Sequence, residues 1–121
     1  MGLFDTTQIA LERALAGSAL RQQTLANNIA NANTPMFKRS DVNFQASLAS
    51  ALDNGASADQ LQQLTFQPQV DNQSAIQVDG NNVDMEQEMA NLSANTVTYE
   101  ALVAVDRSRL QMLTTAIGNG Q

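Results

Sequence analysis

The sequence predicts an all-α fold in which long N- and C-terminal helices pair as an antiparallel, coiled-coil-like hairpin. Three observations carry this. Apolar residues recur in alternating steps of four and three through both terminal thirds of the 121 residues. Cap and turn signals bracket each stripe. The segment between them has fair helix propensity but poor periodicity, and aromatic residues make up only 4% of the chain, with no tryptophan. A large aromatic-anchored core is therefore not expected.

In the N-terminal segment the stripe runs Phe4, Gln8, Leu11, Leu15, Ser18, Gln22, Leu25, Ile29, with polar interruptions at Gln8, Ser18 and Gln22. Asp5 is placed as N-cap, Gln8 three residues on completes a capping-box pattern, and Phe4 and Ile9 occupy the staple positions. A neighbouring line of small residues, Ala10, Ala14 and Gly17, leaves room for a second element to approach closely. The helix should stop around Ala32, because Thr34 precedes Pro35 and is driven toward extended backbone. Its expected length is roughly 40 Å.

The C-terminal stripe is more regular: Met85, Met89, Leu92, Thr96, Tyr99, Val103, Asp106, Leu110, Leu113, Ile117. Asp84 with Gln87 forms a second capping-box pattern, and Glu86 and Glu88 suit the positive end of the helix dipole. Gly118 is the expected terminator of a helix roughly 50 Å long. Leu102, Val105 and Met112 form a second apolar line that one partner helix cannot cover; it marks an interface unless the central segment folds back over it.

Between the stripes, Phe44, Leu48 and Leu52 at four-residue spacing predict a short third helix opened by Ser40 or Asp41. Residues 53–82 form an irregular connector broken by Pro68, with a candidate β element at Ala75–Val78 and a turn at Asp79-Gly80. The chain thus divides into 1–34, an N-terminal axial helix; 35–52, turn and short helix; 53–82, a connector flexible before assembly; and 83–121, a C-terminal axial helix.

Composition narrows function. Cysteine and histidine are both absent, which removes disulfides, thiolate metal sites and the commonest general base and metal ligand. The net charge of −6, with six basic side chains in all, opposes binding to nucleic acid and to anionic membrane surfaces. No apolar run approaches a membrane span. Met1–Asp5 lacks the basic and apolar regions of a cleaved signal. The cluster Asp79, Asp84, Glu86 and Glu88 could be read as paired acid–base carboxylates or a calcium loop. Acids at a helix start, however, ordinarily serve the cap and dipole, and Gly80 is misplaced for an EF-hand. The expectation is no enzyme, no catalytic residue, no metal, no cofactor and no small-molecule substrate.

Asparagine raises a separate question. The run Leu25-Ala26-Asn27-Asn28-Ile29-Ala30-Asn31-Ala32-Asn33-Thr34-Pro35 carries four of them, although asparagine is a mediocre helix former. Helix termination accounts for Asn31 and Asn33 but hardly for Asn27 and Asn28, which lie inside the stripe. Amides that hydrogen-bond across helix contacts and fix register would account for them.

This run, followed by Phe37 and Lys38, resembles the signature of bacterial flagellar rod and hook axial proteins; its motif positions here are Asn28, Ile29, Ala30, Asn31, Thr34, Pro35 and Phe37. Asp41-Val42-Asn43-Phe44, the segment Asn82–Leu92 and Tyr99-Glu100-Ala101-Leu102 narrow the resemblance to the proximal rod branch of that family. One departure stands out: the family usually has glycine, and hence a turn with positive φ, where this chain has Met36, so the local turn is expected to differ, with Met36 as an apolar contact instead.

The resemblance implies a structural subunit of a hollow, torque-transmitting shaft in the basal body, within the periplasmic space, exported without a cleaved signal peptide. Implied partners are other copies of the chain, other rod proteins, the adapter between membrane ring and rod, the membrane ring and the flagellar export gate. Leu11, Leu15, Leu25 and Ile29 are expected to pack against Leu92, Tyr99, Val103, Leu110 and Leu113, with Ile117 extending the stripe. Asn27, Asn28 and Asn31 are expected at or near subunit contacts. The rival is a soluble coiled-coil adapter or export chaperone of a type III secretion system, which would share the stripes but have no need of the Asn-Thr-Pro run.

Overall fold

The computed structural model describes the backbone of residues 3–119 and the side chains of residues 6–118. Helix α1 spans Leu3–Ala30. It begins ahead of Asp5, the expected cap, and the side chains of Phe4 and Asp5, with the staple and capping box assigned to them, lie outside the described ones. Its C-terminus tightens rather than running on to Ala32: the Asn31 N–H is shared between the carbonyls of Asn27 and Asn28, both at 3.1 Å, and the Ala32 N–H reaches Ile29. Bonds to nearer carbonyls close the last turn where Thr34-Pro35 forbids another.

The chain then turns into strand β1, Ser40–Asp41, and helix α2, Phe44–Asp53. Asn43 caps α2, its side-chain oxygen accepting the Ala46 N–H at 3.4 Å. This corrects the expectation that Ser40 or Asp41 opens the helix. Both Ser40 backbone groups are held by Asn28, and two arginines hold the Asp41 carboxylate, so neither residue is available as a cap.

The connector carries two elements that its weak periodicity conceals. Helix α3, Ala58–Gln62, is set by a reciprocal capping box between Ser57 and Gln60, and it buries Leu61 completely. Strand β2, Gln69–Val70, follows Pro68 and pairs antiparallel with β1, Ser40 opposite Val70 and Asp41 opposite Gln69. The small β element therefore lies here and not at Ala75–Val78, where Gly80 closes a turn onto the Gln77 carbonyl and Val78 is fully exposed.

Helix α4 spans Met85–Asn119 and runs antiparallel to α1, as side-chain bonds from Gln8 to Asp106, Gln22 to Thr96 and Asn28 to Glu88 show. Asp84 caps it, accepting the N–H groups of Glu86 and Gln87. The Gln87 side chain donates to Asn91, so the expected reciprocal bond is replaced by one along the helix. Gly118 lies within α4 and does not end it. At about 1.5 Å per residue α1 is roughly 42 Å long and α4 roughly 52 Å.

The apolar core is small and sits where α2 meets the hairpin. Ala14, Val42 and Phe44 are buried together, with Leu20, Leu48, Phe66 and Leu102 packed around them. Phe44 meets Phe66 edge to face, ring centroids 6.2 Å apart. Gly17 permits this approach: a Cβ there would stand 2.5 Å from Phe44 Cβ and 2.7 Å from Cγ. The small-residue line on α1 thus accommodates the start of α2. The second apolar line of α4 is divided, Leu102 entering this core while Val105 and Met112 stay exposed.

Candidate assembly site

Two features of the molecule bear on assembly: a knot of buried polar groups where the hairpin ends meet, and an uncovered apolar stripe along α4. The knot begins at Asn28, which has no exposed surface. Its amide nitrogen donates to the Ser40 carbonyl at 2.7 Å and to Glu88 Oε2 at 3.1 Å, and its oxygen accepts the Ser40 N–H at 3.0 Å. One side chain thereby ties α1, β1 and α4. Glu88, 1% exposed, also accepts from Arg39 Nε.

Arg39 is the hub of the knot. Beyond Glu88 it donates to Asp71 at 3.0 Å and Asp41 at 3.4 Å, while its backbone N–H reaches Asn82 Oδ1 and its carbonyl accepts the Asp71 N–H. Burial opposes its charge, but the hydrogen bonds to Glu88 and Asp71 and the surrounding carboxylates raise its pKa above the ordinary arginine value. Asp41 forms a two-point pair with Arg21 at 2.8 and 3.2 Å. Although burial pushes the Asp41 carboxyl upward, Arg21, the Val42 N–H and the charge of Arg39 lower its pKa overall. Asp71 is lowered further, chiefly by the Ser74 hydroxyl, with the Gln73 and Ser74 N–H groups and Arg39 contributing.

The corner after α1 is closed by another asparagine. Asn81, fully buried, donates to the carbonyls of Asn31 and Thr34 at 2.9 and 2.8 Å, a second donor for each beside the N–H groups of Thr34 and Phe37. Met36 lies in this corner at φ 65°, the one non-glycine residue with positive φ among those described, and its N–H donates to Asp79. This corrects the expectation of a different turn: the positive φ that the family's usual glycine implies is present, and Met36 is largely exposed. Met36→Gly is expected to stabilise the protein by about 1 kcal/mol, the typical cost of that conformation for a residue bearing Cβ. A urea titration would show it as a higher midpoint.

The knot also sets an acid response. Asp41 and Asp71 have folded pKa values below their unfolded ones, so their contribution is fully present above the unfolded carboxylate value and is lost as pH falls toward the folded values. The melting temperature should hold level from neutral pH to about 5 and drop below about 4. Asp71→Asn should flatten the acid limb of a melting-temperature profile.

Sequence reasoning found the asparagine run but not Arg39, Asn81, Asn82, Glu88 and Asn95 as members of the same interior. Their available signal was the Asn81-Asn82 doublet and a glutamate one turn from the stripe, both of which read as loop and dipole residues. Of the sequence-predicted contact residues, Leu11, Leu25 and Asn28 are buried within the chain. Leu15, Ile29, Asn31, Leu92 and Val103 are half-buried, and Asn27, Tyr99, Leu110, Leu113 and Ile117 are exposed. In the motif, Phe44 is core, Asp41 and Phe37 are half-buried, and Thr34 and Pro35 are exposed.

The α1–α4 seam is largely polar. Asn95, buried, donates to the Ser18 carbonyl at 2.9 Å and to Gln22 at 2.8 Å; Gln22 donates to Thr96 at 2.9 Å; Gln8 donates to Asp106 at 2.9 Å and accepts from Arg109 at 3.1 Å. Past Arg109 the exposed residues of α4 include Leu110, Met112, Leu113 and Ile117, the last 69% exposed. No group of three or more potential metal ligands converges among the described residues, and no described helix is long and apolar enough to cross a membrane.

Residues 9–38, most of α1 together with the corner, match the family model described as flagella basal body rod protein. The chain is 34% identical to the flagellar basal body rod protein FlgB of Bacillus subtilis, over the full length of both. The chain belongs to the FlgB family of flagellar basal body rod proteins. It is also 35% identical to FlgB of Borrelia hermsii, over 82% of this chain and 86% of the relative. With FlgB of Proteus mirabilis the identity is 32%, over 90% and 91%. The family match falls on the segment that holds Asn28, Asn31 and Met36, the part of α1 fastened to the start of α4.

Proposed function

We propose that this FlgB-family chain is a structural subunit of the proximal rod, assembling with its own copies and other axial proteins into a hollow shaft that transmits torque. Family membership supports the basal-body rod, and the uncovered stripe of α4 supports assembly through that helix. Tyr99, Leu110, Leu113 and Ile117 expose apolar surface at helical spacing on a chain whose own core is small, and such a surface ordinarily marks an interface. In this reading these residues and Asn27 meet neighbouring subunits. Leu11, Leu25 and Asn28 act from inside by holding the hairpin that presents them.

The role is mechanical rather than catalytic. Long helices interlocked in rows resist compression along the axis and twist around it. The further partners in this reading are the adapter between membrane ring and rod, the membrane ring and the export gate. In this reading the chain works in the periplasmic space, its connector ordering fully on assembly.

Leu113→Asp and Ile117→Asp should abolish swimming while leaving the circular dichroism of the purified chain unchanged, because both side chains already face water. A photo-crosslinker at Ile117 in intact basal bodies should couple to rod proteins. Coupling to cytoplasmic proteins alone would refute the rod reading and favour an export chaperone.

A further inference from the structure

The apolar stripes leave one question open, since a heptad pattern pairs almost equally well after sliding by seven residues, about 10 Å along the axis. We propose that the polar pairs of the α1–α4 seam, half-buried at Gln8–Asp106 and Gln22–Thr96 and buried at Ser18–Asn95 and Asn28–Glu88, select the register of the hairpin. Both stripes carry polar interruptions, and in the observed register these meet one another: Gln8 with Asp106 and Gln22 with Thr96. A slip of one heptad would set Gln22 against Val103 or Met89 and Gln8 against Leu113 or Tyr99. Beside the stripe, Asn95 would leave Ser18, and Glu88 would leave Asn28 and Arg39. A buried carboxylate without partners is the costliest of these losses, and fixing register is the best-attested use of buried polar groups in paired helices.

The arrangement also shows why this selection need not add stability. Without Glu88, Arg39 still has Asp71 and Asp41, and the Asn28 amide still has Ser40. Without Gln22, Asn95 still donates to Ser18. Specificity and stability can therefore be separated experimentally. For assembly, which rests on the rod reading, a slip would carry Leu110, Leu113 and Ile117 out of phase with α1 by a full heptad.

The test measures register in the isolated full-length chain, so its failure is distinct from any failure of the rod assignment. The sequence has no cysteine, and spin labels on cysteines introduced at exposed Ala16 and Ala104 would report a single separation by pulsed electron spin resonance. The triple variant E88M/Q22L/T96L should stay helical and melt at the same or a higher temperature. It should show a second separation in at least about a tenth of the molecules, a minor state within ordinary two-state populations. E88Q, whose one oxygen still accepts from Arg39 or Asn28 and which leaves the Gln22–Thr96 pair intact, should retain one separation. A helical triple variant with one separation would overturn the proposal. So would a triple variant that loses helix or melts lower, since the pairs would then be elements of stability.

Discussion

Phe44→Ala is expected to lower the unfolding free energy by about 4 kcal/mol, the ordinary loss for a buried phenylalanine in a core that cannot collapse around the gap. The ring is 3% exposed, sits against Ala14 and Val42, and makes the edge-to-face contact with Phe66. Few other apolar groups can compensate, because about half of the remaining buried residues are polar. Gly17→Ala attacks the same contact from α1 and should cost about 2 kcal/mol, since the added Cβ lies 2.5 Å from Phe44 Cβ and the core is already filled. The two should not add. Removing the ring relieves the contacts at Cγ and Cδ2 but leaves Phe44 Cβ in place, so about half of the Gly17→Ala penalty should vanish, giving a coupling of about 1 kcal/mol in a double-mutant cycle by urea denaturation. Full additivity would show that Gly17 and Phe44 are not in contact.

Asn28→Ala should cost about 3 kcal/mol and lower the melting temperature by about 10 °C. It removes three hydrogen bonds at once and leaves the Ser40 N–H, the Ser40 carbonyl and one oxygen of Glu88 short of a partner. Asn28→Asp should be at least as damaging: it cannot donate to the Ser40 carbonyl and it sets a second carboxylate against Glu88. The adjacent Asn27 is exposed, and Asn27→Ala should change stability by no more than about 0.5 kcal/mol. Parallel thermal melts decide it. Equal effects from the two neighbouring asparagines would mean that the knot does not hold the hairpin end.

Legibility differed from element to element, and the reason is range. Helices α1 and α4 were legible because a stripe and a cap are local, repeated over many turns. The Asp84 cap and the helix stop before Pro35 follow from the chemistry of a few adjacent residues. Helix α3 was missed because five residues are too short for periodicity to register, although Ser57 and Gln60 carry a complete capping box. Strand β2 was misplaced because two residues that pair only with β1 have no alternation of their own to display.

Local pattern was enough for the two long helices, the antiparallel hairpin and the resemblance to axial proteins, whereas the turn at Met36, expected to differ, is positive in φ all the same. Only the tertiary structure decided which polar residues are interior. Asn28, Glu88, Arg39 and Asn81 are separated by up to 60 residues and are brought together by the return of α4 along α1. A carboxylate or an amide reads as surface until the partner that satisfies it is known. That partner is set by the packing of the whole chain, and local pattern carries no information about it.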